Sequence, residues 1–244
     1  PLGTVISETS VNLKSGAEKS TGFYAVNGAN ITNKGQVNFG SGIGSVGAYA
    51  QTSGTVYNEG NIIVGMSDIT RDYYSIGMAA KNGGKVINNA GHTINVTGNY
   101  GIGMFAEGAG SRAENYGIIN LASSGELRGA YGMYLSNHAT GYVGATGVIK
   151  SGNYSGDRNK SDLIGIAVLN GATLENHGLI DIDARSSYGI YVRNGIIKNY
   201  GTINISGTGS AGVRYKNATD ENGNPLSTAD IENAVNASNG AAVS

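Results

Sequence analysis

Tyr188-Gly189-Ile190-Tyr191-Val192-Arg193-Asn194-Gly195, followed by Lys198-Asn199-Tyr200-Gly201-Thr202-Ile203-Asn204-Ile205, is one turn of a pattern that fills most of the chain. Its opening Gly-apolar-x-apolar run recurs at Gly22, Gly47, Gly77, Gly103, Gly132, Gly165, Gly189 and Gly212, at spacings of 25, 30, 26, 29, 33, 24 and 23 residues. An Asn-x-Gly tripeptide recurs at Asn33, Asn58, Asn89, Asn115, Asn176 and Asn199, with Ala145-Thr146-Gly147 standing in for it in the fifth repeat. From leading Gly to tripeptide Gly the distance is nearly constant, at 13, 13, 14, 14, 15, 13 and 12 residues. Variation is therefore confined to one other segment. A body of constant length with one elastic corner is what a solenoid coil looks like.

Within a coil the residue after the leading Gly is apolar in every copy, from Phe23 and Ala48 to Ile190 and Val213, and so is the residue two further on, from Ala25 and Ala50 to Val192 and Tyr215. Alternate residues of a strand share a face, so this first strand turns both columns inward. The leading Gly and the residue between the columns are assigned to the outer face. A second strand offers Ile31, Val56, Ile87, Ala113, Val143, Leu174 and Ile197 as its inward residue. A third, after the tripeptide, offers inward pairs such as Val37/Phe39, Ile62/Val64, Ile119/Leu121 and Ile203/Ile205. Its outward column, Asn38, Ile63, Asn95, Asn120, Lys150, Asp181 and Asn204, is mostly polar, as a solvated face should be. Three short strands per coil, each pairing in parallel with its copy in the next, predict an all-β fold: a right-handed parallel β-helix of about eight coils, roughly 35 Å long at about 4.8 Å per coil.

Composition agrees. The 244 residues include 41 Gly, 2 Pro, 15 Tyr, no Cys and no Trp, with a formal net charge of −1 and 14% charged residues. Gly, Asn and Thr in such number suit strands and turns rather than helices. So neutral a chain lacks the basic field that nucleic acid or an anionic membrane requires, and no run approaches the ~20 apolar residues of a membrane-spanning helix. Without Cys there is no disulfide framework and no Cys-ligated zinc. Pro1-Leu2-Gly3 reads as an expression-tag scar on an excised piece, residues 4–21 as a partial coil, 22–216 as the repeats and 217–244 as an irregular segment or a truncated excursion. In that last segment Asn222-Gly223-Asn224-Pro225 reads as a turn and Thr228 to Val235 as a short helix.

Candidate sites fall on the elastic corner and on the outer face. From tripeptide Gly to the next leading Gly the lengths are 12, 17, 12, 15, 18, 11 and 11, so the corners at 65–74, 123–128 and 151–162 are enlarged. Insertions at one point of a repeat project from one edge, where partners bind. The candidate binding residues are Arg71, Asp72, Tyr73 and Tyr74 from one corner with Tyr154, Asp157 and Arg158 from another, about three coils or roughly 14 Å away. The alternative site is an aromatic stripe on the first strand's outer face, Tyr24, Tyr49, Phe105, Tyr134 and Tyr191, interrupted by Ala79 and Ala167 and flanked by the leading glycines. The same residues also fit ordinary surface loops and strand-stabilising ladders. The tripeptide Asn residues read as bend residues, able to adopt a left-handed backbone and to hydrogen-bond their stacked copies, rather than as ligands for metal or sugar.

β-Helices also carry polysaccharide lyases and hydrolases, whose chemistry needs carboxylates converging from adjacent coils beside a basic partner. Asp181 and Asp183 are acidic, but their stacked neighbours are Lys150 and Asn204, and His92, His138 and His177 have no repeating carboxylate or Ser partner. Metal-ligand spacings are absent from the sequence. No catalytic residues, metal or cofactor are expected.

The coil quoted at the outset resembles the passenger repeats of autotransporters, the type V secreted surface proteins of Gram-negative bacteria. Its Gly-Ile/Met-Tyr-Ala and Asn-x-Gly-x-Ile-x-Ile wording is especially similar to the very large outer-membrane adhesins of fusobacteria, over about residues 22 to 216. The resemblance implies a monomeric β-helical rod outside the cell, anchored in the outer membrane by a separate C-terminal barrel. It also implies attachment to host cells or other bacteria through a surface protein or glycan, as in coaggregation, biofilm formation and virulence. A polysaccharide-degrading enzyme and a passive stalk are the alternatives. The family has no universal binding residues to transfer, and this chain departs from its wording at Ala145 and after residue 216.

Overall fold

The computed structural model describes residues 3–122, 126–152, 160–220, 222–225 and 235–238. Among them there is no helix; the chain winds as a parallel β-solenoid of about eight coils with three sheets. The first-strand sheet runs from Thr21–Val26 to Ala211–Lys216, and the second from Thr4–Ser7 to Ile196–Asn199. The third runs from Val11–Asn12 to Thr202–Ser206 and on to Val235–Ser238. Residues 4–12 thus supply the second and third strands of a partial coil. The 217–244 segment is not wholly irregular, since Val235 pairs with Ile203 and opens a strand that extends the third sheet. The expected turn is present, closed by Gly223 N–H donating to the Asp220 carbonyl at 3.2 Å. The helix expected from Thr228 otherwise lies outside the described residues.

Both first-strand columns stack in register, Phe23 on Ala48 on Met78 on Met104 and Ala25 on Ala50 on Ala80 on Ala106. On the third strand Ile62, Ile94, Ile119, Ile149 and Ile180 stack with no solvent exposure. No coil closes this core alone, so its apolar area leaves water only when the neighbouring coils are in place.

Four details of register differ from the expectation. In the third coil Val86, not Ile87, stacks inward on Val56 and Ala113, while Ile87 pairs with Tyr57 and Glu114. The Asn aligned with Asn58 and Asn115 is accordingly Asn88, and the following turn is one residue longer. In the fifth coil the inward residue is Gly141, and Val143 occupies the Asn position, so Val143 rather than Ala145 interrupts the Asn column. Leu135 explains this: it replaces the Ala of earlier coils on the first strand, and a Cβ at Gly141 would overlap its Cδ1.

The leading glycines face inward, not outward. A Cβ on Gly103 would lie 2.6 Å from the Gly132 carbonyl oxygen and 2.6 Å from Ile119 Cγ2. Pairing skips each of these glycines, with Ile102 opposite Tyr131 and Met104 opposite Met133. Gly and the residue after it both point to the interior, so the chain bends there, and only Gly leaves room for the Ile column across the core.

The left-handed Asn residues are not those of the tripeptide but Asn27, Asn82, Asn137, Asn170, Asn194 and Asn217, in the turn after the first strand, with φ between 49° and 53°. Asn tolerates this conformation better than other non-Gly residues. The tripeptide Asn side chains form a buried ladder, as expected: Asn33 Nδ2 donates to Asn58 Oδ1 at 2.9 Å, Asn58 to Asn88 at 2.8 Å and Asn88 to Asn115 at 2.8 Å. Past the break at Val143 it resumes with Asn176 donating to Asn199 at 2.7 Å.

Candidate functional site

The elastic corners stack on one edge of the rod. Ser67 N–H donates to Asn99 O at 2.9 Å and Tyr100 N–H to Arg128 O at 2.8 Å, while Leu127–Arg128 pairs in parallel with Lys160–Ser161. Buried serines two residues before the leading Gly satisfy the backbone at this bend, as where Leu163 and Ser187 N–H donate to Ser187 and Ser210 Oγ, each at 2.9 Å.

Within corner 65–74, Asp68 and Tyr73 exchange backbone hydrogen bonds at 2.8 and 2.9 Å. Arg71 donates to both Glu18 carboxylate oxygens, at 3.0 and 2.9 Å, and to Asp68 Oδ2 at 2.6 Å. Bonds from the Thr70 side chain and from Arg71 hold the Asp68 carboxyl down to about 2. The Tyr73 ring carries Lys19 Nζ 3.7 Å from its centroid and packs against Gly44, where an added Cβ would lie 2.7 Å from Tyr73 Cβ. Arg71 and Tyr73 thus fasten the corner to the preceding coils. Asp72 sits at φ 59°, and burial, with the Asp72 carboxylate beside it, pushes the Tyr74 hydroxyl up. Of the four residues, Tyr74 alone turns toward the first-strand sheet. Tyr154, Asp157 and Arg158 lie outside the described residues.

Corner and stripe meet at Tyr74. On the outer face of the first-strand sheet a concavity of about 380 Å³ is lined by Tyr74, by Ile76, Ile102 and Tyr131 from the position before each leading Gly, and by Phe105 and Tyr134 from the stripe. Its other wall holds Lys81, Glu107, Ser136, Asn137 and Asn170. Phe105 and Tyr134 stack with centroids 5.6 Å apart and planes 11° apart, and Tyr131 meets Tyr134 edge-on at 5.5 Å. Beneath the rings Ile76, Ala79 and Ile102 are buried although they belong to the outside of the rod. Burial pushes the hydroxyls of Tyr131 and Tyr134 up, so both remain protonated donors. Lys81 Nζ pairs with Glu107 at 2.7 Å and Asn137 Nδ2 donates to Glu107 at 3.1 Å. The Lys81 bond is the main cause that lowers the Glu107 carboxyl. At the N-terminal end of the stripe, Tyr24 and Tyr49 form a separate pair 5.5 Å apart, Gln51 donating to the Tyr24 hydroxyl. Tyr191 stands beside Tyr188 at 5.9 Å.

A second aromatic ladder escaped the sequence reading. Tyr116, Tyr142, His177 and Tyr200 follow one another at 5.6, 5.6 and 4.9 Å along the second sheet's turn. Three of the four are the middle residue of the tripeptide, a column whose aromatic character was legible in the sequence. Beside it the buried Glu114 carboxylate is raised by burial but brought lower overall by Lys85 and Arg112.

A family model described as the BigA third pectate lyase-like domain matches residues 3–147, more than half of the 244-residue chain. The chain belongs to this family. Every groove residue except Asn170 lies within the matched stretch of the pectate lyase-like domain. No curated protein matches the chain. A solved TibC-catalysed hyper-glycosylated TibA fragment is 13% identical over 98% of this chain and 99% of its own, with a TM-score of 0.15, which carries no structural likeness.

Asp181 and Asp183 lie beyond the family match, on the outer face of the third sheet. Burial and then the Asp183 charge raise the Asp181 carboxyl, against a hydrogen bond from Asn204 and the charge of Lys150. Asp183 accepts from Ser206 Oγ. No group of three or more potential metal ligands occurs among the described residues. A carboxyl raised on folding opposes folding once it ionises: the penalty is absent below the ordinary carboxylate range and enters as pH rises through the raised value. Asp181→Asn, which places in this column the residue already present at Asn120 and Asn204, is expected to raise the melting temperature modestly at pH 7 and to leave it unchanged near pH 3. Paired melts at the two pH values check this, and equal gains at both would show that charge is not the cause.

Proposed function

We propose that this pectate lyase-like β-helix is a non-catalytic binding segment of a cell-surface adhesin, an autotransporter-type passenger that attaches to host cells or other bacteria. The outer-face groove is its contact surface. The observation that carries this reading is apolar burial on the wrong side of a coil: Ile76, Ala79 and Ile102 are covered by aromatic rings outside the core. A rod that only stacks needs a polar exterior, of the kind its third sheet has at Asn38, Asn95 and Asn120. Aromatic side chains gathered around a concavity are the usual anchors of recognition. The corner at 65–74 contributes through Tyr74 and not through Arg71 or Tyr73, whose bonds are internal.

Beads coated with the chain are expected to attach to host or bacterial cells, and a Tyr74→Ala, Asn137→Gly double variant to attach several-fold less with nearly the same melting temperature, since both side chains are exposed and Gly keeps the left-handed turn at position 137. Attachment indifferent to these changes would make the rod a passive stalk or move the site elsewhere. Incubation with acidic and neutral polysaccharides is expected to release no reducing ends or unsaturated products. Turnover abolished by changing Asp181 or Asp183 would make the domain an enzyme instead.

A further inference from the structure

We infer that the groove takes a neutral saccharide, a short run of uncharged sugar rings lying across the Phe105–Tyr134 floor; this rests on the groove being the contact surface proposed above. Its two walls differ in chemistry. One is aromatic and aliphatic, with Phe105 and Tyr134 stacked in nearly parallel planes. The other is polar and already organised, because Lys81, Glu107 and Asn137 are bonded to one another before any ligand arrives. A sugar ring presents the same division, a face of C–H groups and a rim of hydroxyls that both donate and accept. Glu107 can accept further bonds, the Lys81 ammonium and the amides of Asn137 and Asn170 can donate them, and the amide oxygens can accept.

Other occupants fit less well. A wholly apolar ligand would cover the Glu107–Asn137 wall without hydrogen-bonding it, leaving polar groups desolvated and unpaired. An extended peptide added as a strand needs a free sheet edge, whereas the groove lies on the face of a sheet whose strands at this point are paired on both sides. An acidic glycan would need excess positive charge, but Lys81 is neutralised by Glu107 and, among the described residues, no other cation lines the groove. The volume of about 380 Å³ lies in the range of small-ligand sites, roughly 300–1,000 Å³, rather than being the footprint of a folded partner. Lys81 Nζ, 5.2 Å from the Phe105 ring centroid, couples the two walls, so a ring seated on Phe105 lies beside the ion pair.

Saturation-transfer NMR on the whole chain tests this, with maltotriose, cellotriose, chitotriose and lacto-N-tetraose as neutral probes and trigalacturonic acid as the acidic one. At least one neutral probe is expected to receive saturation from the protein's aromatic protons. Its affinity should fall roughly tenfold or more in Phe105→Ala, as for loss of an anchoring ring, and measurably in Glu107→Gln. Should Phe105→Ala not fold, Asn137→Gly on the exposed wall, which keeps the left-handed turn, decides the same question. Silence of all neutral probes, preference for trigalacturonic acid, or undiminished binding in the folded variants overturns the inference. Bead attachment to cells whose surface glycans have been oxidised by mild periodate separates the two readings. Groove-dependent attachment that survives periodate means a protein ligand, which overturns the saccharide and leaves the adhesin. Sugar binding without attachment to any cell leaves the saccharide and overturns the adhesin.

Discussion

Ile119→Asp is expected to abolish the cooperative thermal transition of this chain, or to lower its midpoint by tens of degrees. Ile119 has no solvent exposure, stacks between Ile94 and Ile149, and has its Cγ2 in the space that Gly103 leaves open. An aspartate there ionises without a partner in an apolar stack or stays protonated with an unpaired carboxyl, and either costs about 4–5 kcal/mol or more. A whole domain is held by only about 5–15 kcal/mol. The position is central, and coils depend on their neighbours, so the damage divides the rod into two short stacks. Asn120→Asp, one residue along on the outer column, is the control and should melt within a few degrees of the unaltered chain. Far-ultraviolet circular dichroism during heating distinguishes them, and a normal melt for Ile119→Asp would mean that the third strand is out of register.

The fold was legible because a coil repeats the same choice many times. Period-two alternation in Val37/Phe39, Ile62/Val64 and Ile203/Ile205 allows one register, and the copies correct one another. The misreadings occur where one coil offers two equivalent answers. Val86 and Ile87 are adjacent and both apolar, and only the extra turn residue before Gly91 makes Val86 the core residue. Gly141 has no apolar side chain to advertise an inward position, and its reason is a size exchange with Leu135 on another strand. Strict alternation puts the leading Gly outward, but the strand bends there and two successive residues face the core. The groove was half legible. Its stripe residues stand out in the sequence, and the column before the leading Gly, which completes it with Ile76, Ile102 and Tyr131, is apolar in every copy after Thr21. That Tyr74 swings onto the stripe while Arg71 and Tyr73 fold back on Glu18, Lys19 and Gly44 depends on contacts between coils, which the order of residues inside a corner does not encode.

Replacing Asn58 tests whether the buried ladder holds the coils together or merely fills space. Asn58 Oδ1 accepts from Asn33 and, at 3.3 Å, from Gly60 N–H, while its Nδ2 donates to Asn88 Oδ1 and, at 3.1 Å, to Gly60 O. Asn58→Ala leaves the Asn33 donor and the Asn88 acceptor facing a cavity with no water to replace the lost amide. Each buried orphan costs about 1–3 kcal/mol, so a loss of about 3 kcal/mol, or roughly 10 °C in melting temperature, is expected. The tripeptide Gly compounds the demand, since a Cβ at Gly60 would collide with the Gly35 carbonyl and the turn cannot move away to relieve the gap. Asn33→Ala should cost less than half as much, because Asn33 Oδ1 already lacks a partner at the end of the ladder and only one rung is broken. Val143→Asn is the converse change: it places an amide between Asn115 and Asn176, where the ladder is interrupted, and should recover part of a rung against the packing lost beside Gly147 and Gly178. The expected order of stability is therefore Asn58→Ala lowest, then Asn33→Ala, with Val143→Asn near the unaltered chain. Equal losses for Asn58→Ala and Asn33→Ala would mean that the amides contribute as packed volume, and that hydrogen bonding along the ladder is not what ties one coil to the next.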